Sequence, residues 1–320
     1  MATPLEPFGI PASPLIHPEV EVIEAENLRW ARRLGLVEDA RGEERLRRAR
    51  IAQAAARIAW HAPVERVALF AQWLTWIIVI DDLQDEAGPG LDSGAVHRAY
   101  ARLEGILEGQ GTDTDAPAVE RALAELWSRT ATPMSRAWRE RFIGHVRLQR
   151  DAFIEQTRLR RSGRVPTLDE YPRLRRHTNS IFAFDLSEPV YALEIAPALL
   201  PAWLALCEPI NDLMAWCNDI VSVARDAADG ETTNYVFVFQ HALGCDTPTA
   251  VARVRGRIQE RWKDLATAEQ ALRREARRLA LDTPGLLRLT ATLCQVPSAH
   301  LGWLLESSRY QSWEAPIASP

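Results

Sequence analysis

Two clusters of oxygen-bearing side chains have a spacing that would place each cluster on one face of a helix. In the first, the apolar run 77–80 continues directly into Asp81, Asp82 and Asp85. Residues four apart stack on a helix, so Asp81 and Asp85 would lie together, with Asp82 about 100° around the axis. Such carboxylates repel each other, and the macrodipole at a helix C-terminus disfavours them further. A divalent cation reverses both penalties, and Mg²⁺, which also binds phosphate oxygens, fits these ligands.

The second cluster lies in residues 216–231, where Asn218, Ser222 and Asp226 recur every four residues. A helix would align their carboxamide, hydroxyl and carboxylate in one stripe, with Arg225 beside it. Two such oxygen sets on two helices, one with an adjacent arginine, would form a cage for metal ions bridged by phosphate. For both clusters the alternative is a polar helix face in water, and the flanking apolar residues weigh against it.

The composition narrows the class of protein that carries these clusters. The chain has 320 residues, of which 47% are hydrophobic, and a net charge of −5. This balance indicates a globular protein without a basic surface for nucleic acid or for a membrane. The four cysteines form no CxxC pair, which favours free thiols in a reducing compartment. No signal-peptide pattern and no apolar run of about 20 residues occurs, so we expect a cytoplasmic protein.

Apolar residues recur at helical spacing along most of the chain, and no sustained strand-like alternation is present. We therefore predict one all-α domain over residues 1–320, with irregular ends at 1–17 and 311–320. A loop is expected at 87–94, and a helix break near Asn179 and Ser180. The predicted helices are 18–35, 41–60, 64–82, 95–109, 116–130, 132–161, 167–194, 198–229, 232–242, 247–281 and 283–307.

Several predicted helices are apolar on more than one face, which fits either a central apolar cavity or an ordinary core. Both alternatives apply to Trp73, Trp76, Trp216 and Trp303, which lie on such helices.

These residues carry a resemblance to bacterial class I terpene synthases, or terpene cyclases. Residues 81–85, DDLQD, resemble the DDxxD motif of that family, and residues 218–226, NDIVSVARD, resemble its second motif, ND(L/I)xSxx(K/R)E. Residues 171–178, YPRLRRHT, resemble the segment with the diphosphate-sensing arginine, which this match assigns to Arg176. Near the end, Arg309 and Tyr310 are similar to the terminal RY pair, preceded by Trp303 as expected.

The resemblance implies a single-domain helical bundle around a central apolar cavity. It implies Mg²⁺-dependent ionisation of a linear isoprenyl diphosphate and cyclisation of the resulting carbocation. Three Mg²⁺ ions would be held by Asp81, Asp82, Asp85, Asn218, Ser222 and Asp226. Arg176, Arg225, Arg309 and Tyr310 would stabilise the departing diphosphate. The substrate-binding residues would be Trp73, Trp76, Ile77, Asn179, Ser180, Phe182, Trp216 and Trp303.

The resemblance restricts neither the length of the substrate's hydrocarbon chain nor the oligomeric state of the protein. Farnesyl diphosphate is the default substrate, with geranyl and geranylgeranyl diphosphate as alternatives, and a homodimer is compatible with the family. The chain departs from the family pattern in three places: Asp226 replaces a glutamate, Asn179 and Ser180 stand where glycine is usual, and Ile77 and Ile78 replace phenylalanines.

Three other functions are distinguished from this one by particular residues of the sequence. A chain-elongating prenyltransferase would carry a second aspartate-rich motif on the later helix, where this chain has the Asn218, Ser222 and Asp226 stripe. A protonation-initiated cyclase would carry DxDD, which the sequence lacks. The alternative from another class is a helical protein that binds diphosphate without turnover, which the changes at Asp226 and Ser180 leave open.

Overall fold

The computed structural model describes residues 8–11, 13–86 and 92–308, and for residues 82–86 it describes the helix without the side chains. No strand occurs within these ranges, so the all-α prediction is confirmed. Two short 3₁₀ helices span Ile181–Phe184 and Pro197–Leu199. The described α-helices are α1 (Val20–Leu34), α2 (Ala40–Arg48), α3 (Ile51–Ile58), α4 (Val64–Glu86), α5 (Ser93–Leu107), α6 (Ala118–Ala131), α7 (Arg136–Ser162), α8 (Glu170–Thr178), α9 (Ser187–Tyr191), α10 (Leu200–Ala228), α11 (Tyr235–Leu243), α12 (Thr247–Arg278) and α13 (Pro284–Glu306).

Side-chain caps explain where several helices begin. Asp92 accepts a hydrogen bond from the backbone N–H of Ala95 at the start of α5, and Asp246 does the same for Thr249 in α12. These caps satisfy backbone donors that the first helical turn leaves unpaired. Because of the Asp92 cap, α5 begins at Ser93, inside the segment predicted as a loop. The rest of that loop, residues 87–91, lies outside the described part.

Two predicted helices are interrupted. The helix expected at 41–60 is in fact two helices, because Arg50 between α2 and α3 has a left-handed backbone with φ of +53°. The helix expected at 167–194 ends at Thr178, which confirms the predicted break. Ser180 has φ of +52° there, and the chain continues as a 3₁₀ helix and then α9. In the other direction, α4 extends to Glu86, beyond the predicted end.

The chain divides into two compact units. The N-terminal unit comprises Leu15–Thr157 and Ser180–Glu194, and the C-terminal unit comprises the described parts of Met1–Pro14, Arg158–Asn179 and Ile195–Pro320. A single catalytic domain remains a prediction.

An aromatic cluster forms the centre of the N-terminal unit. The ring of Phe142 packs 5.6 Å from Trp73, 5.0 Å from Trp127 and 5.3 Å from Trp138, measured between centroids. Each of these side chains is at most 8% exposed. Large aromatic side chains contribute much of the apolar area that a core removes from water. The middle of α4, where Trp73 lies, is therefore packed into the core of the N-terminal unit.

The C-terminal unit is organised around α10, which is buried along most of its length. The rings of Tyr171, Tyr235 and Trp216 pack in series, with centroids 4.8 Å and 5.1 Å apart. This stack joins α8, α10 and α11. All four cysteines are free, as predicted, and no described helix is long and apolar enough to cross a bilayer.

Candidate active site

The first acidic cluster lies at the C-terminal end of α4, as its spacing predicted. Asp81 is exposed, and it lines a pocket within the N-terminal unit that is partly open to solvent. Asp82 and Asp85 lie on the same helix, but their side chains are outside the described part. The apolar run that precedes the aspartates thus leads to a pocket with a carboxylate on its wall.

This pocket contains four of the predicted substrate-binding residues. Trp76, Ile77, Ser180 and Phe182 line it, and Trp76 also donates its indole N–H to the carbonyl of Val119 over 2.9 Å. The remaining lining residues are Ile80, Tyr100, Leu103, Val146, Gln149 and Phe153. A mostly apolar wall with few polar groups is typical of a small-molecule site.

Trp73 does not line this pocket. Its side chain is 1% exposed, and its indole N–H donates to the hydroxyl of Thr130 over 2.8 Å. Trp73 also packs edge-on against Trp76, with ring centroids 5.8 Å apart. The geometry favours the core alternative for Trp73 and makes it a support for the pocket residue Trp76.

The second cluster forms a stripe on α10. The hydroxyl of Ser222 donates to Oδ2 of Asp226 over 2.6 Å, which shows that residues four apart are in contact as predicted. Ser222 is buried, whereas Asn218 and Asp226 are partly exposed. The stripe therefore presents its carboxamide and carboxylate at the edge of the helix's buried face.

Asp226 has a second support that the sequence did not predict. The carboxamide of Asn234 donates to Oδ2 of Asp226 over 2.9 Å and to the carbonyl of Asp219 over 2.8 Å. Through Oδ1, Asn234 also caps α11 at the N–H of Val236. The shorter carboxylate at position 226 is consequently held in place by Ser222 and Asn234 together.

The donor chemistry of both clusters fits Mg²⁺, which prefers oxygen ligands. Within the described residues there is no group of three His, Cys, Asp or Glu side chains that could hold a metal. The α10 stripe has one carboxylate, an amide and a hydroxyl, and two of the three aspartates on α4 have undescribed side chains. Ser222 and Asp226 are already in contact, and with Asn218 they supply three oxygen donors on one face.

Arg175 contacts the first residue of this stripe. Its guanidinium donates from Nη2 to Oδ1 of Asn218 and from Nε to Oδ1 of Asp219, both over 3.1 Å. The hydroxyl of Tyr171 donates to the other oxygen of Asp219. Asp219 is 1% exposed, so its partners on α8 fix both the carboxylate and the neighbouring Asn218.

Burial governs the protonation of this group. It raises the pKa of Asp219 to about 6, although Arg175 and the Tyr171 hydroxyl act in the opposite direction. Burial alone would lower the pKa of Arg175, but the carboxylate of Asp219 outweighs it and the pKa is raised. Burial and the same carboxylate raise the pKa of Tyr171 well above its usual value. Arg175 is therefore a permanent cation beside the stripe.

Arg176, the predicted diphosphate sensor, has different partners. It donates from Nε and Nη2 to the two oxygens of Asp212, each over 2.8 Å, and lies 3.2 Å from Glu208. Arg261 of α12 shares Asp212 at 2.8 Å. Arg176 thus belongs to a partly exposed ion-pair cluster around the buried Asp212 that joins α8, α10 and α12, while its neighbour Arg175 contacts the stripe.

Three further predicted substrate-binding residues, Asn179, Trp216 and Trp303, lie in the C-terminal unit, each in a different environment. Asn179 donates to Oδ1 of Asn211 over 2.7 Å. Trp216 is 2% exposed, and its buried indole N–H has no acceptor among the described residues. Trp303 is 8% exposed and packs against His300, with ring centroids 5.6 Å apart.

Arg225 lies beside the stripe, with Nε 3.5 Å from Oδ1 of Asp226 and its side chain 41% exposed. Its position next to the predicted metal ligands agrees with the sequence-based expectation. Arg309 and Tyr310 lie outside the described residues.

Sequence reasoning missed several residues that contact the predicted ones. Arg175 and Asp219 lie within the quoted motifs and Asn234 follows the second motif, and their charge or amide groups were the available signal. The sequence signal for Gln149 on α7 was weaker. Gln149 is a polar residue between Val146 and Phe153, which occupy the same helix face.

Comparison with known proteins finds a matching family and several similar enzymes. The profile of the family described as terpene synthase family 2, C-terminal metal binding, matches residues 72–264. A (+)-T-muurolol synthase of Roseiflexus castenholzii, described as (2E,6E)-farnesyl diphosphate cyclizing, is 30% identical over 251 residues, which are 76% of this chain and 75% of that protein. A (+)-eremophilene synthase of Sorangium cellulosum is 25% identical and covers 97% of this chain and 94% of its own length.

Solved structures share the fold. The linalool/nerolidol synthase of Streptomyces clavuligerus superposes with a TM-score of 0.82 at 22% identity, covering 92% of this chain and 99% of that one. Hedycaryol synthase in complex with nerolidol has a TM-score of 0.77, also at 22% identity, over 92% of this chain and 97% of its own. The fold implied by the sequence motifs, that of class I terpene synthases, is confirmed.

Proposed function

This chain belongs to terpene synthase family 2 and is a metal-binding terpene cyclase, and we propose that it converts farnesyl diphosphate to a cyclic sesquiterpene with Mg²⁺ as its metal. The (+)-T-muurolol synthase that it resembles at 30% identity is described as cyclising farnesyl diphosphate, which supports a C15 substrate.

The observation that carries the proposal is the stripe on α10. Asn218, Ser222 and Asp226 hold three oxygen donors on one helix face, and Arg175 of α8 and Asn234, the N-cap of α11, keep two of them in position. Metal sites depend on such second contacts, which orient the ligands before the ion binds. A solvated polar face would need none of these buried partners.

We assign the metal-binding role to Asp81, Asp82 and Asp85 on α4 and to Asn218, Ser222 and Asp226 on α10. Bound Mg²⁺ supplies Lewis-acid stabilisation of the departing diphosphate, worth several kcal/mol per site. The number of ions, three, follows from the family resemblance.

The arginines would compensate charge on the same diphosphate. Arg225 lies beside Asp226 and its side chain is 41% exposed, so a diphosphate on that side of α10 would be within its reach. Arg175 is a second candidate because it already contacts Asn218. Arg176 would have to leave Asp212, and Arg261 would remain there as a partner for the carboxylate. Arg309 and Tyr310 keep their roles on the resemblance alone.

The hydrocarbon part of the substrate would occupy apolar space such as the pocket beside Asp81. Trp76 and Phe182 offer aromatic faces, and an aromatic face stabilises a nearby cation by about 0.5–2 kcal/mol. This contribution is smaller than that of the metal, so these aromatics should affect the product more than the rate.

Metal-dependent release of diphosphate tests the proposal. Purified protein and farnesyl diphosphate should release diphosphate with Mg²⁺, stop releasing it with EDTA, and resume when excess Mg²⁺ is restored. Binding of farnesyl diphosphate without release of diphosphate, by a folded protein, would favour the alternative of a binding protein without turnover.

A further inference from the structure

A pair of polar side chains interrupts the apolar wall of the pocket beside Asp81. Gln149 of α7 donates from Nε2 to the hydroxyl oxygen of Ser180 over 3.1 Å, and both residues line the pocket. Gln149 is only 5% exposed. A carboxamide buried among apolar side chains is unfavourable unless its polar atoms are paired, so its presence requires an explanation.

The pair depends on an unusual residue at position 180. Ser180 has φ of +52° and ψ of +55°, a left-handed conformation that glycine adopts without steric cost. Glycine is also what the family resemblance leads one to expect in this turn. Serine is less favourable here, and it adds the one group that a glycine could not provide, the hydroxyl that contacts Gln149.

The pair has unused hydrogen-bonding capacity. In the described part of the chain, the carboxamide oxygen of Gln149 has no donor, and the hydroxyl hydrogen of Ser180 has no acceptor. Both residues line a pocket whose other polar side chains are Asp81, Tyr100 and Trp76, and the indole N–H of Trp76 already donates to Val119. A buried water molecule is held by two to four such partners, and an adjacent donor and acceptor meet that requirement.

We propose that Gln149 and Ser180 hold a water molecule that ends the reaction by attacking the carbocation, so that the main product is an alcohol. The inference rests on the proposed function, since it needs the cation that ionisation of farnesyl diphosphate generates. It adds the means by which that cation is consumed and names the residues responsible.

The step balances without any further reactant. The oxygen of the water forms a C–O bond to the cationic carbon, and the resulting oxonium ion loses one proton to the diphosphate released in the ionisation. One water molecule is consumed for each alcohol formed. Gln149 accepts a hydrogen bond from the water and Ser180 donates one to it, so that a lone pair of the oxygen is directed into the pocket.

The alternative is that Gln149 only supports the turn at Ser180. A structural role would affect folding and overall rate, and it would leave the ratio of alcohol to hydrocarbon unchanged. The test is therefore a product ratio and an isotope label, which a purely structural role does not alter.

Wild-type protein is incubated with farnesyl diphosphate and Mg²⁺ in H₂¹⁸O, and the extract is analysed by gas chromatography–mass spectrometry. The inference predicts an alcohol as the main product with ¹⁸O in its hydroxyl group. Gln149→Met, which keeps the side-chain length, should lower the ratio of alcohol to hydrocarbon about tenfold, because the water loses a hydrogen-bond acceptor. Ser180→Gly, which also relieves the left-handed strain, should lower the same ratio.

Gln270→Met, at an exposed position of α12, is the matched control and should leave the ratio unchanged. A wild-type product that is entirely hydrocarbon, or an alcohol without ¹⁸O, would overturn the inference while leaving the proposed function intact. An unchanged ratio in Ser180→Gly would overturn it too, even if Gln149→Met failed to fold. Absence of any product with wild-type protein would contradict the proposed function itself, and this inference with it.

Discussion

Arg175 donates a hydrogen bond from Nη2 to the carboxamide oxygen of Asn218 over 3.1 Å, although the motif match assigns the ligand-contacting role to its neighbour. Consecutive helical residues point about 100° apart, so Arg175 and Arg176 cannot face the same partner. Arg176 instead meets Asp212 through two bonds of 2.8 Å. One helix turn of α8 thereby fixes two different acids of α10.

The buried pair of Arg175 and Asp219 should be strongly coupled in stability. Arg175→Met leaves the Asp219 carboxylate with Tyr171 and no cation, and we expect a loss of about 3–5 kcal/mol in the free energy of unfolding. Adding Asp219→Asn removes the second charge and should recover a large part of that loss. Urea denaturation of the single and double variants measures both effects.

Arg29→Met is the control, because it breaks an exposed pair with Glu26 and should change the free energy by at most about 0.5 kcal/mol. A double variant less stable than the single one would show that the charges are not compensating each other.

Removal of one predicted metal ligand should abolish most turnover. Asp81→Ala and Asn218→Ala each delete an oxygen donor, and the loss of several kcal/mol of metal stabilisation corresponds to a fall of about 100-fold or more in kcat. The fall in kcat is measured as the rate of diphosphate release from farnesyl diphosphate at saturating Mg²⁺. Asp282→Ala, at an exposed position, should retain wild-type turnover. Wild-type rates in either ligand variant would remove that residue from the metal site.

Asn234 should influence metal affinity through Asp226. Asn234→Ala frees Oδ2 of Asp226 from one of its two supports, and loss of such a second contact raises the Mg²⁺ concentration for half-maximal activity about tenfold. The same change removes the cap of α11, at about 1 kcal/mol.

Asp246→Ala separates these two effects, since it removes the cap of α12 at a similar cost in stability without touching Asp226. If both variants shifted the Mg²⁺ requirement equally, the effect would belong to stability and not to the position of the carboxylate.

His300 should make the protein less stable in mild acid. Burial, with a further contribution from Arg175, lowers the pKa of His300 to about 3. Below a pH of about 6.5, the ordinary pKa of histidine, the unfolded chain therefore binds a proton at His300 that the folded protein does not bind. The free energy of unfolding falls as the pH decreases from about 6.5 towards 3. For this one group the loss between pH 7.5 and pH 5 is about 2 kcal/mol.

The comparison with His300→Gln isolates that contribution. The difference in free energy of unfolding between variant and wild type should move by about 2 kcal/mol in favour of the variant from pH 7.5 to pH 5. His97→Gln, at an exposed site on α5, serves as the control. Equal differences at the two pH values would show that His300 is not held neutral in the folded protein.

The periodicity of the sequence was sufficient to predict contacts between residues of the same helix. The four-residue spacing of Ser222 and Asp226 predicts their contact, and the structure has it at 2.6 Å. The break before Ser180 was also predictable from the local sequence. The helix boundary at Arg50 was not, because a left-handed arginine has no propensity signal.

The sequence motifs could not predict which side chains meet across the contacts between helices. Whether Arg175 or Arg176 faces Asn218 depends on how α8 is rotated against α10, which the buried acids Asp212 and Asp219 determine. Gln149 was missed because a single glutamine on a polar helix such as α7 is usually solvated. Only the packing of α7 reveals that it faces an apolar pocket.

The most direct test of the central claim is product formation from substrates of three lengths. Purified protein is incubated separately with geranyl, farnesyl and geranylgeranyl diphosphate, with Mg²⁺ or with EDTA, and the extracts are analysed by gas chromatography–mass spectrometry. A Mg²⁺-dependent cyclic C15 product from farnesyl diphosphate, absent with EDTA, is the expected result. A cyclic product from geranyl or geranylgeranyl diphosphate alone would contradict the C15 assignment, and no product from any of the three would contradict the account as a whole.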